Sequence, residues 1–441
     1  MDKIKPRFPE NDIVITVKNP HRAGALGHLL SVIGEEGGIV GDIHTQFIGR
    51  DHSFRKLTIS VYDQENLQAI QKAIEEKTGA EILEIKDLVF DRHEGGKIHT
   101  GRTRNLETLE DLRYIYTPGV ARVCKEIQAK PELANQYTGI GNSVGIFTNG
   151  TRVLGLGDIG PVASMPVMEG KAVLYDQFVG ISAVPILIDS KDPDEFINIV
   201  EKIAPSFGGV HLEDIRIPDC FAIEEELIRR LPNPVMHDDQ HGTATVLLAA
   251  VLSALRQTGR EEDKSLVFTQ IGLGAAGFGI AKLLIDYGFT VIGVDLLPES
   301  QKRLTDYGGE IAELNDAMKK ADVVIATTGV VGLIKPEMVQ KDQIILSLSN
   351  PIPEIFPEDA LDAGAAFASD GKSVNNALAF PGLFKAALQV NSPKITAKMK
   401  ITAAKAISQL ARKGELVPSP FNPHVHENVI KAVTSLFPAK L

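Results

Sequence analysis

The chain of 441 residues is long enough for two or three domains, each with its own hydrophobic core. Hydrophobic residues make up 44% and charged residues 23% of it, as in typical globular proteins. The formal net charge of −11 repels phosphate backbones and anionic lipids, so nucleic acid is not an expected partner. With only two cysteines a disulfide framework is excluded, which favours a reducing cytoplasm. No apolar stretch reaches roughly 20 residues, so no membrane partner is expected.

Residues 1–90 are predicted to form a small α+β domain. The segments "DIVITVKN" and "RKLTISVYD" alternate as strands, and "GALGHLLSVIGEEGG" and "ENLQAIQKAIEEKTG" have the spacing of amphipathic helices. The resulting βαββαβ order is that of a ferredoxin-like fold. This order, with glycines at the first strand-to-helix junction, resembles the ACT regulatory domain. The resemblance implies a small effector, and the alternative is an accessory domain that binds only another subunit.

The rest of the chain is predicted to be α/β. In residues 91–242, short strands such as "SVGIFTNG" and "GGVHLED" alternate with helices, which indicates a parallel α/β catalytic domain. In residues 243–441, the strands "SLVFTQIG", "TVIGVD", "DVVIATTG" and "QIILSLSN" alternate with helical segments. That alternation predicts a Rossmann-type doubly wound sheet, followed by C-terminal helices.

A glycine-rich turn in the third predicted domain indicates a dinucleotide site. Gly272, Gly274 and Gly277 have G-x-G-x-x-G spacing directly after an apolar strand and at the start of a helix. We expect this turn, with Ala275 and Ala276, to receive the pyrophosphate at the helix N-terminus. Asp295 ends the next strand, about twenty residues later, where its carboxylate can bind the ribose hydroxyls and repel a 2′-phosphate. NAD is therefore favoured over NADP.

Two short apolar strands each end in a pair of acids, Glu213 with Asp214 and Asp238 with Asp239. If both strands run parallel in one sheet, these acids meet at the carboxyl edge, where α/β sheets bind ligands. Oxygen ligands of this kind suit Mg²⁺ or Mn²⁺. The structural alternatives are that the second pair only caps a helix beginning near Thr243, and that the first lies on a solvated edge.

A zinc site is another hypothesis for the segment around Asp238 and Asp239. His237 and His241 are four residues apart, as in metalloprotease helices. No glutamate lies between them and Gly242 follows, so a turn is predicted there instead of a zinc-binding helix.

Eight separated motifs stand in the order and approximate spacing of malic enzymes, over about residues 100 to 440. They are "IYTPGVA", "TRVLGLGDIG", "MPVMEGKAVLY", "LEDI", "HDDQHGTA", "GLGAAG", "SLSNP" and "NNALAFPG". The chain thus resembles the NAD-dependent malate dehydrogenases (oxaloacetate-decarboxylating) of the shorter bacterial type. The segments "GLGAAGFG" and "GVDLLPES" depart in detail from the family's versions.

The resemblance implies a role for each matching residue. Lys171 would be a general base with a lowered pKa, oriented by Asp238, and Tyr116 would be the general acid. The divalent metal would be bound by Glu213, Asp214 and Asp239, the substrate by Arg152, Asn350 and Asn376, and the nicotinamide ribose also by Asn350. The structural alternatives are a surface lysine at the start of a helix, a buried tyrosine with a structural partner, and amides that close turns.

The implied reaction converts (S)-malate to pyruvate and CO₂ with NAD and Mg²⁺ or Mn²⁺, in a homodimer or homotetramer. One alternative is a malolactic enzyme, which retains the cofactor and releases lactate. A second is an ACT-linked amino-acid dehydrogenase, which would need no metal. A third, a nucleotide sensor without catalysis, is disfavoured because Lys171, Tyr116 and the three acids are all present.

Overall fold

The computed structural model describes residues 11–153, 155–261, 263, 265–349, 352–371 and 374–438. The chain divides into two compact units, Met1–His99 and Thr100–Leu441. The predicted domain boundary after residue 90 lies nine residues before this division, and the one after residue 242 lies inside a helix. These two boundaries stay predictions. None of the described helices has both the length and the apolar character needed to span a bilayer.

The first unit is an antiparallel sheet with two helices. Its elements are β1 (Asn11–Pro20), α1 (Ala25–Glu35), β2 (Ile39–Ile48), β3 (His52–Val61), α2 (Gln64–Lys77), β4 (Glu81–Asp87) and the short α3 (Leu88–His93). The strand order is β2-β3-β1-β4. Every second residue of β3 is buried, so one face of the sheet carries the core together with Leu29, Ile33 and Ile70 of the helices. The βαββαβ order is as predicted from the sequence.

The second unit contains two parallel sheets and most of the helices. Up to the last strand of the first sheet, its elements are α4 (Leu109–Ile115), α5 (Val120–Ala129), α6 (Ala134–Tyr137), β5 (Ser143–Thr148), α7 (Gly160–Val179), β6 (Ser182–Leu187), α8 (Pro193–Ile203), β7 (Gly209–Leu212), α9 (Asp219–Arg230) and β8 (Val235–His237). The four strands are ordered β6-β5-β7-β8 and all run parallel.

The second sheet follows a long connecting helix. The elements are α10 (Asp238–Gln257), β9 (Val267–Ile271), α11 (Ala275–Tyr287), β10 (Thr290–Val294), α12 (Pro298–Tyr307), β11 (Glu310–Ile311), α13 (Leu314–Lys320), β12 (Val323–Ala326), β13 (Ile344–Ser347), α14 (Pro357–Asp362), β14 (Phe367–Asp370), α15 (Phe380–Val390), α16 (Ala397–Ser408) and α17 (His424–Thr434). Its parallel strands are ordered β11-β10-β9-β12-β13-β14, the 3-2-1-4-5-6 order of a doubly wound sheet. The expected α/β fold with parallel sheets is therefore confirmed.

Helix α10 differs from the prediction in a way that matters for the site. The sequence suggested a turn around His237 and His241, with a helix from about Thr243. Instead, β8 ends at His237 and α10 begins at the next residue, so the turn prediction is wrong. Both Asp238 and Asp239 belong to the first helical turn, where the positive end of the helix dipole favours carboxylates.

Helix α15 returns from the second sheet to the first. The ring centroid of Phe380 lies 4.8 Å from that of Tyr175 on α7, and the ring centroid of Phe384 lies 5.9 Å from that of His211 on β7. Gly209 makes this contact close, because a Cβ there would stand 2.9 Å from Phe384 Cδ1. Residues near the C-terminus thus help to build the core behind the first sheet.

Helices α4, α5 and α6 belong to the second unit, but they contain no buried residue. Their exposed apolar side chains are Leu109, Leu112, Tyr114, Ile115, Val120, Val123 and Tyr137, with Tyr116 directly after α4. A segment of this kind is unusual for a helical part of a globular unit, whose helices normally bury one apolar face.

Candidate active site

The acidic strand ends meet at one edge of the four-stranded sheet. Strands β7 and β8 are parallel neighbours with Leu212 beside His237, so the acids that follow each strand emerge together. Asp214 adopts a left-handed backbone conformation, with φ at 53°, immediately after Glu213. The strand thus stops at Leu212, and the chain turns sharply while carrying two carboxylates.

Lys171 lies within this acidic cluster. It sits in the middle of α7 and is 9% exposed, so the alternative of a surface lysine at the start of a helix is wrong. Its Nζ donates to Asp238 Oδ2 at 2.5 Å and lies 3.1 Å from Glu213 Oε1. The ring of Phe380 covers it at 4.9 Å. The ammonium is thus held by two carboxylates and an aromatic face.

The pKa of Lys171 does not follow the sequence expectation. Burial by itself lowers it, but the negative charges of Asp238 and Glu213 outweigh burial and raise the pKa above its ordinary value. The raised pKa differs from the lowered pKa expected from the sequence, because the sequence does not show which charges surround the buried lysine.

Two overlapping groups of side chains have metal-ligand geometry. In the first, one ligand atom each of His211, Glu213 and Asp238 lie within 4.8 Å of one another. In the second, the same holds for Glu213, Asp214 and Asp239. The ammonium of Lys171 already contacts Glu213 and Asp238, so the first group has its cation.

In the second group Glu213 contacts Lys171, but neither Asp214 nor Asp239 forms an ion pair with a described lysine or arginine. Asp239 Oδ2 accepts a hydrogen bond from the Asp214 backbone N–H at 3.1 Å, which holds the two residues together. Asp214 Oδ2 is buried without a partner. Burial, followed by the charges of Asp239 and Glu213, raises the pKa of Asp214 to about 8. These three residues thus have the oxygen donors and the unbalanced negative charge that suit a divalent cation.

A buried histidine links the acidic cluster to α7. His211 Nε2 lies 2.5 Å from Glu213 Oε2, and its Nδ1 lies 2.9 Å from the Tyr175 hydroxyl. Burial lowers the pKa of His211 to about 3, so it stays neutral at ordinary pH. The sequence analysis missed both residues. For His211 the available signal was position, since it lies on β7 only two residues before Glu213, which directly follows the strand.

Glu224 supports the first turn of α10 from behind. This buried carboxylate on α9 accepts from the His237 backbone N–H at 2.7 Å and lies 3.0 Å from His241 Nε2. Lys400 Nζ lies 2.9 Å from His241 Nδ1, so both ring nitrogens of His241 are engaged. This arrangement leaves His241 unable to bind zinc together with His237. The sequence analysis also missed Glu224, because nothing in its local sequence distinguishes it from its acidic neighbours.

Asn376 joins the cluster from the other end of the chain. It begins a short 3₁₀ turn before α15, and its Nδ2 donates to Asp238 Oδ2 at 2.6 Å. Gly242, one helical turn after Asp238, lacks the Cβ that would overlap Asp238 Oδ1. Asp238 can therefore accept from Lys171 and Asn376 at once.

The glycine turn has the geometry that its spacing predicted. Gly272 has φ at 86°, a conformation that favours glycine, and a Cβ on Gly277 would overlap the backbone of Gly272. Gly274 precedes α11, whose first turn contains Ala275 and Ala276. Asp295 accepts from the Leu273 N–H at 2.7 Å and from the Leu297 N–H at 2.8 Å. Its carboxylate thus fixes the glycine turn from the end of β10.

Arg152 connects the two edges. Its backbone N–H donates to the Asp214 carbonyl at 3.1 Å, beside the acidic cluster. Its guanidinium nitrogens stand 3.9 Å from the position of a Cβ on Gly274. Arg152 therefore reaches from the acidic cluster to the glycine turn.

Comparison with known proteins identifies the family. A family model, "Malic enzyme, N-terminal domain", matches residues 95–228. The chain is 47% identical over 422 residues to NAD-dependent malic enzyme 1 of Bacillus subtilis, which covers 95% of this chain and 96% of that protein. It is 42% identical over 366 residues to the bifunctional malic/malolactic enzyme of the same organism, covering 77% of this chain and 89% of that one. A solved NAD-dependent malic enzyme of Thermotoga maritima matches with a TM-score of 0.73 and 37% identity, covering 79% of this chain and 99% of that one.

This chain belongs to the malic enzyme family. The predicted catalytic, metal-binding and substrate-binding residues fall into three groups. The structure brings together Lys171, Glu213, Asp214, Asp238, Asp239, Asn376 and, through its backbone, Arg152. Tyr116 is 65% exposed, so the alternative of a buried structural tyrosine is wrong. Asn350 lies outside the described residues.

Proposed function

We propose that this malic enzyme oxidises and decarboxylates (S)-malate to pyruvate and CO₂ with NAD as the hydride acceptor. The observation that carries the proposal is the contact of Lys171 with both Asp238 and Glu213, directly beside a second carboxylate group. A lysine at a ligand-binding sheet edge lies where it can take the substrate hydroxyl proton as hydride leaves C2. A divalent cation held by the neighbouring carboxylates would offset the negative charge that raises the pKa of Lys171.

Lys171 is the proposed base, and Asp238 is the residue that orients it. Asp238 is fully buried and accepts from both Lys171 and Asn376, so the lysine nitrogen has one fixed position. His211 and Tyr175 hold Glu213 from the other side. A base fixed in this way needs little reorganisation when the proton is transferred.

Glu213, Asp214 and Asp239 are the proposed ligands of Mg²⁺ or Mn²⁺. Their clustered oxygens and the unpartnered Asp214 Oδ2 support this choice. When bound, the divalent cation would supply a Lewis acid for the C2 oxygen of the substrate and positive charge next to Lys171. No thiol lies among these residues, and hard oxygen donors favour these two ions over softer metals.

Arg152, Asn376 and Asn350 are the proposed substrate-binding residues, and Asn350 also a cofactor contact. The guanidinium of Arg152 can take a malate carboxylate through two parallel hydrogen bonds, which provides local positive charge in an acidic protein. Gly272, Gly274, Ala275, Ala276, Gly277 and Asp295 are the proposed NAD-binding residues. The carboxylate of Asp295 supports NAD over NADP, since a 2′-phosphate would lie close to its negative charge.

Tyr116 is the proposed general acid that protonates C3 of the enol. Its exposure, and the absence of buried residues in α4, α5 and α6, support a further proposal that the protein is a homodimer or homotetramer. We propose that a second copy covers the apolar side chains of this segment. Leu109→Glu, at an 82% exposed position, should then shift the sedimentation coefficient toward the monomer, and an unchanged coefficient would contradict the interface.

The first unit is proposed to be an ACT-like regulatory domain. Its ferredoxin-like strand order and the positive-φ Gly24 directly before α1 support this assignment. Such a unit can bind a small effector without taking part in the reaction.

The decisive assay measures two products from malate, NAD and Mn²⁺. Net appearance of NADH with pyruvate supports the proposed reaction. Lactate without net NADH would instead support the malolactic alternative, which is of interest because one relative is a bifunctional malic/malolactic enzyme. Full activity after removal of divalent metal by EDTA would contradict the proposed metal site under either outcome.

A further inference from the structure

Glu354 is a buried carboxylate to which the proposed reaction gives no role. It lies between β13 and α14 and is fully buried. Its Oε2 has no hydrogen-bond partner among the described residues. Because it is costly to bury a carboxylate, its other oxygen needs good donors if Glu354 is to stay inside the protein.

That other oxygen joins the loops that follow β12 and β13. Glu354 Oε1 accepts from the Thr328 backbone N–H at 2.6 Å and from the Thr328 hydroxyl at 2.9 Å. It also accepts from the Ser349 hydroxyl at 2.6 Å. Ser349 Oγ in turn accepts from the Gly329 backbone N–H at 2.8 Å. One carboxylate oxygen thus holds the start of the loop after β12 against the loop after β13.

Glu354 also holds the far end of the loop after β12. The Ile334 backbone N–H donates to the Glu354 carbonyl at 3.2 Å. Between the two attachments, the side chains of Val330 and Val331 are exposed. The loop therefore presents apolar side chains to solvent while a single residue fixes both of its ends.

The strand order places this loop on one side of the glycine turn. β9, which leads into that turn, lies between β10 and β12. Asp295, the proposed contact of the adenosine ribose, directly follows β10. Thr328 lies on the β12 side, and its Cγ2 stands 3.0 Å from the position of a Cβ on Gly272. In a dinucleotide bound across such a turn, the adenosine half lies toward β10 and the nicotinamide half toward β12 and β13.

We propose that Glu354 is a positioning residue for the nicotinamide half of NAD, an inference that rests on the proposed NAD site. Glu354 fixes the loop after β12 together with Ser349, which directly precedes Asn350 in the sequence. It acts through these loops and does not touch the cofactor. Loops that are fixed before binding lose less conformational entropy when the cofactor binds. The adenosine half, which lies at Asp295, should not depend on Glu354.

The test compares Glu354→Met with Glu354→Gln in the full-length protein. Methionine keeps the approximate size of the side chain and removes both acceptor oxygens. Glutamine keeps one oxygen that can accept from Thr328 and Ser349. Calorimetry measures the binding of NAD and of ADP, which contains the adenosine and both phosphates but lacks the nicotinamide ribose. Glu358→Met, at an exposed position on α14, is the matched control.

The expected loss is confined to NAD. Glu354→Met should bind NAD at least about tenfold more weakly than the wild type and ADP within about twofold of it. Glu354→Gln should recover most of the NAD affinity, and Glu358→Met should bind both ligands as the wild type does. In turnover, Glu354→Met should raise KM for NAD and leave KM for malate within about twofold.

ADP binding shows that the glycine turn is intact in each variant, so a loss of NAD affinity alone is not a loss of folding. Equal NAD affinity in Glu354→Met and the wild type, equal weakening of NAD and ADP, or no recovery in Glu354→Gln would each overturn the inference. Both ligands are titrated without malate, so the comparison holds even if the wild type forms lactate instead of pyruvate. A wild type that binds neither NAD nor ADP would contradict the proposed NAD site and this inference with it.

Discussion

The two parallel sheets of the second unit each have a candidate site at the carboxyl edge, and the two candidate sites differ in what forms them. The four-stranded sheet ends in charged side chains, with Lys171 held between Asp238 and Glu213. The six-stranded sheet ends in a glycine turn, in which Gly272 and Gly277 bring backbone atoms close together. The first edge is defined by contacts between charged side chains. The second is defined by close backbone packing, which the missing side chains of the glycines allow.

This difference predicts which substitutions each edge tolerates. At the charged edge, a change that keeps the shape and removes a charge should be damaging, since buried carboxylates would lose their partner. At the glycine edge, a single added methyl group should be damaging, although it changes no charge. Arg152, which touches both edges, and Gly279, whose added Cβ would overlap the Gln240 backbone on α10, couple the two.

The largest effect is expected from Lys171→Ala. Loss of the proposed base should lower kcat by about 10³-fold, within the range typical of general-base catalysis, while the affinity for NAD stays unchanged. Steady-state NADH formation and calorimetric NAD binding measure the two quantities. Lys202→Ala on the exposed side of α8 is the control. A kcat within about tenfold of the wild type would remove Lys171 from the role of base.

The next largest effect should come from Gly277→Ala. The added Cβ would overlap the Gly272 backbone and stand 2.8 Å from Thr327 Oγ1, so the turn must open. We expect the dissociation constant for NAD to rise by about 100-fold, while Mn²⁺ binding stays as in the wild type. Gly139→Ala is a matched control, because an added Cβ there meets no atom within 4 Å. Equal NAD affinity in both variants would show that close packing at this turn is not required.

Asp239→Asn tests the charged edge without changing its shape. Removing one proposed ligand charge should weaken Mn²⁺ binding by at least about tenfold, as measured by electron paramagnetic resonance of free Mn²⁺. Excess Mn²⁺ should also raise the unfolding temperature of the wild type more than that of the variant, because a cation that binds only the folded state stabilises it. Glu225→Gln, an exposed acid on α9, is the control. Identical Mn²⁺ affinity would exclude Asp239 from the ligand set.

The same comparison explains what the sequence could reveal. The glycine turn is contiguous in sequence, so its geometry could be predicted from the glycine spacing together with its position between a strand and a helix. The acidic pairs could be predicted because parallel strands end at a common edge. Tyr175 and Glu224 could not, because Tyr175 acts through His211 and Glu224 through the His237 backbone, which are distant from them in sequence. The predicted direction of the Lys171 pKa shift differs from that in the structure for the same reason, since the direction depends on the balance between burial and the charges of Asp238 and Glu213.

The smallest effect is expected from Asp295→Asn, because this residue combines a negative charge with support of the backbone. Asp295 carries a charge, yet it also fixes backbone through the Leu273 and Leu297 N–H groups. An amide keeps one acceptor oxygen, so part of this support remains while the negative charge is lost.

We therefore expect KM for NAD to rise by less than about tenfold and the preference for NAD over NADP to shrink, because repulsion of the 2′-phosphate is weakened. The measurement is kcat/KM with each cofactor at saturating malate and Mn²⁺. Asp316→Asn, an exposed acid on α13, should leave both values unchanged. If the ratio of the two kcat/KM values is the same in Asp295→Asn and the wild type, discrimination at this edge does not come from the Asp295 charge. It would then have to come from the backbone shape of the glycine turn.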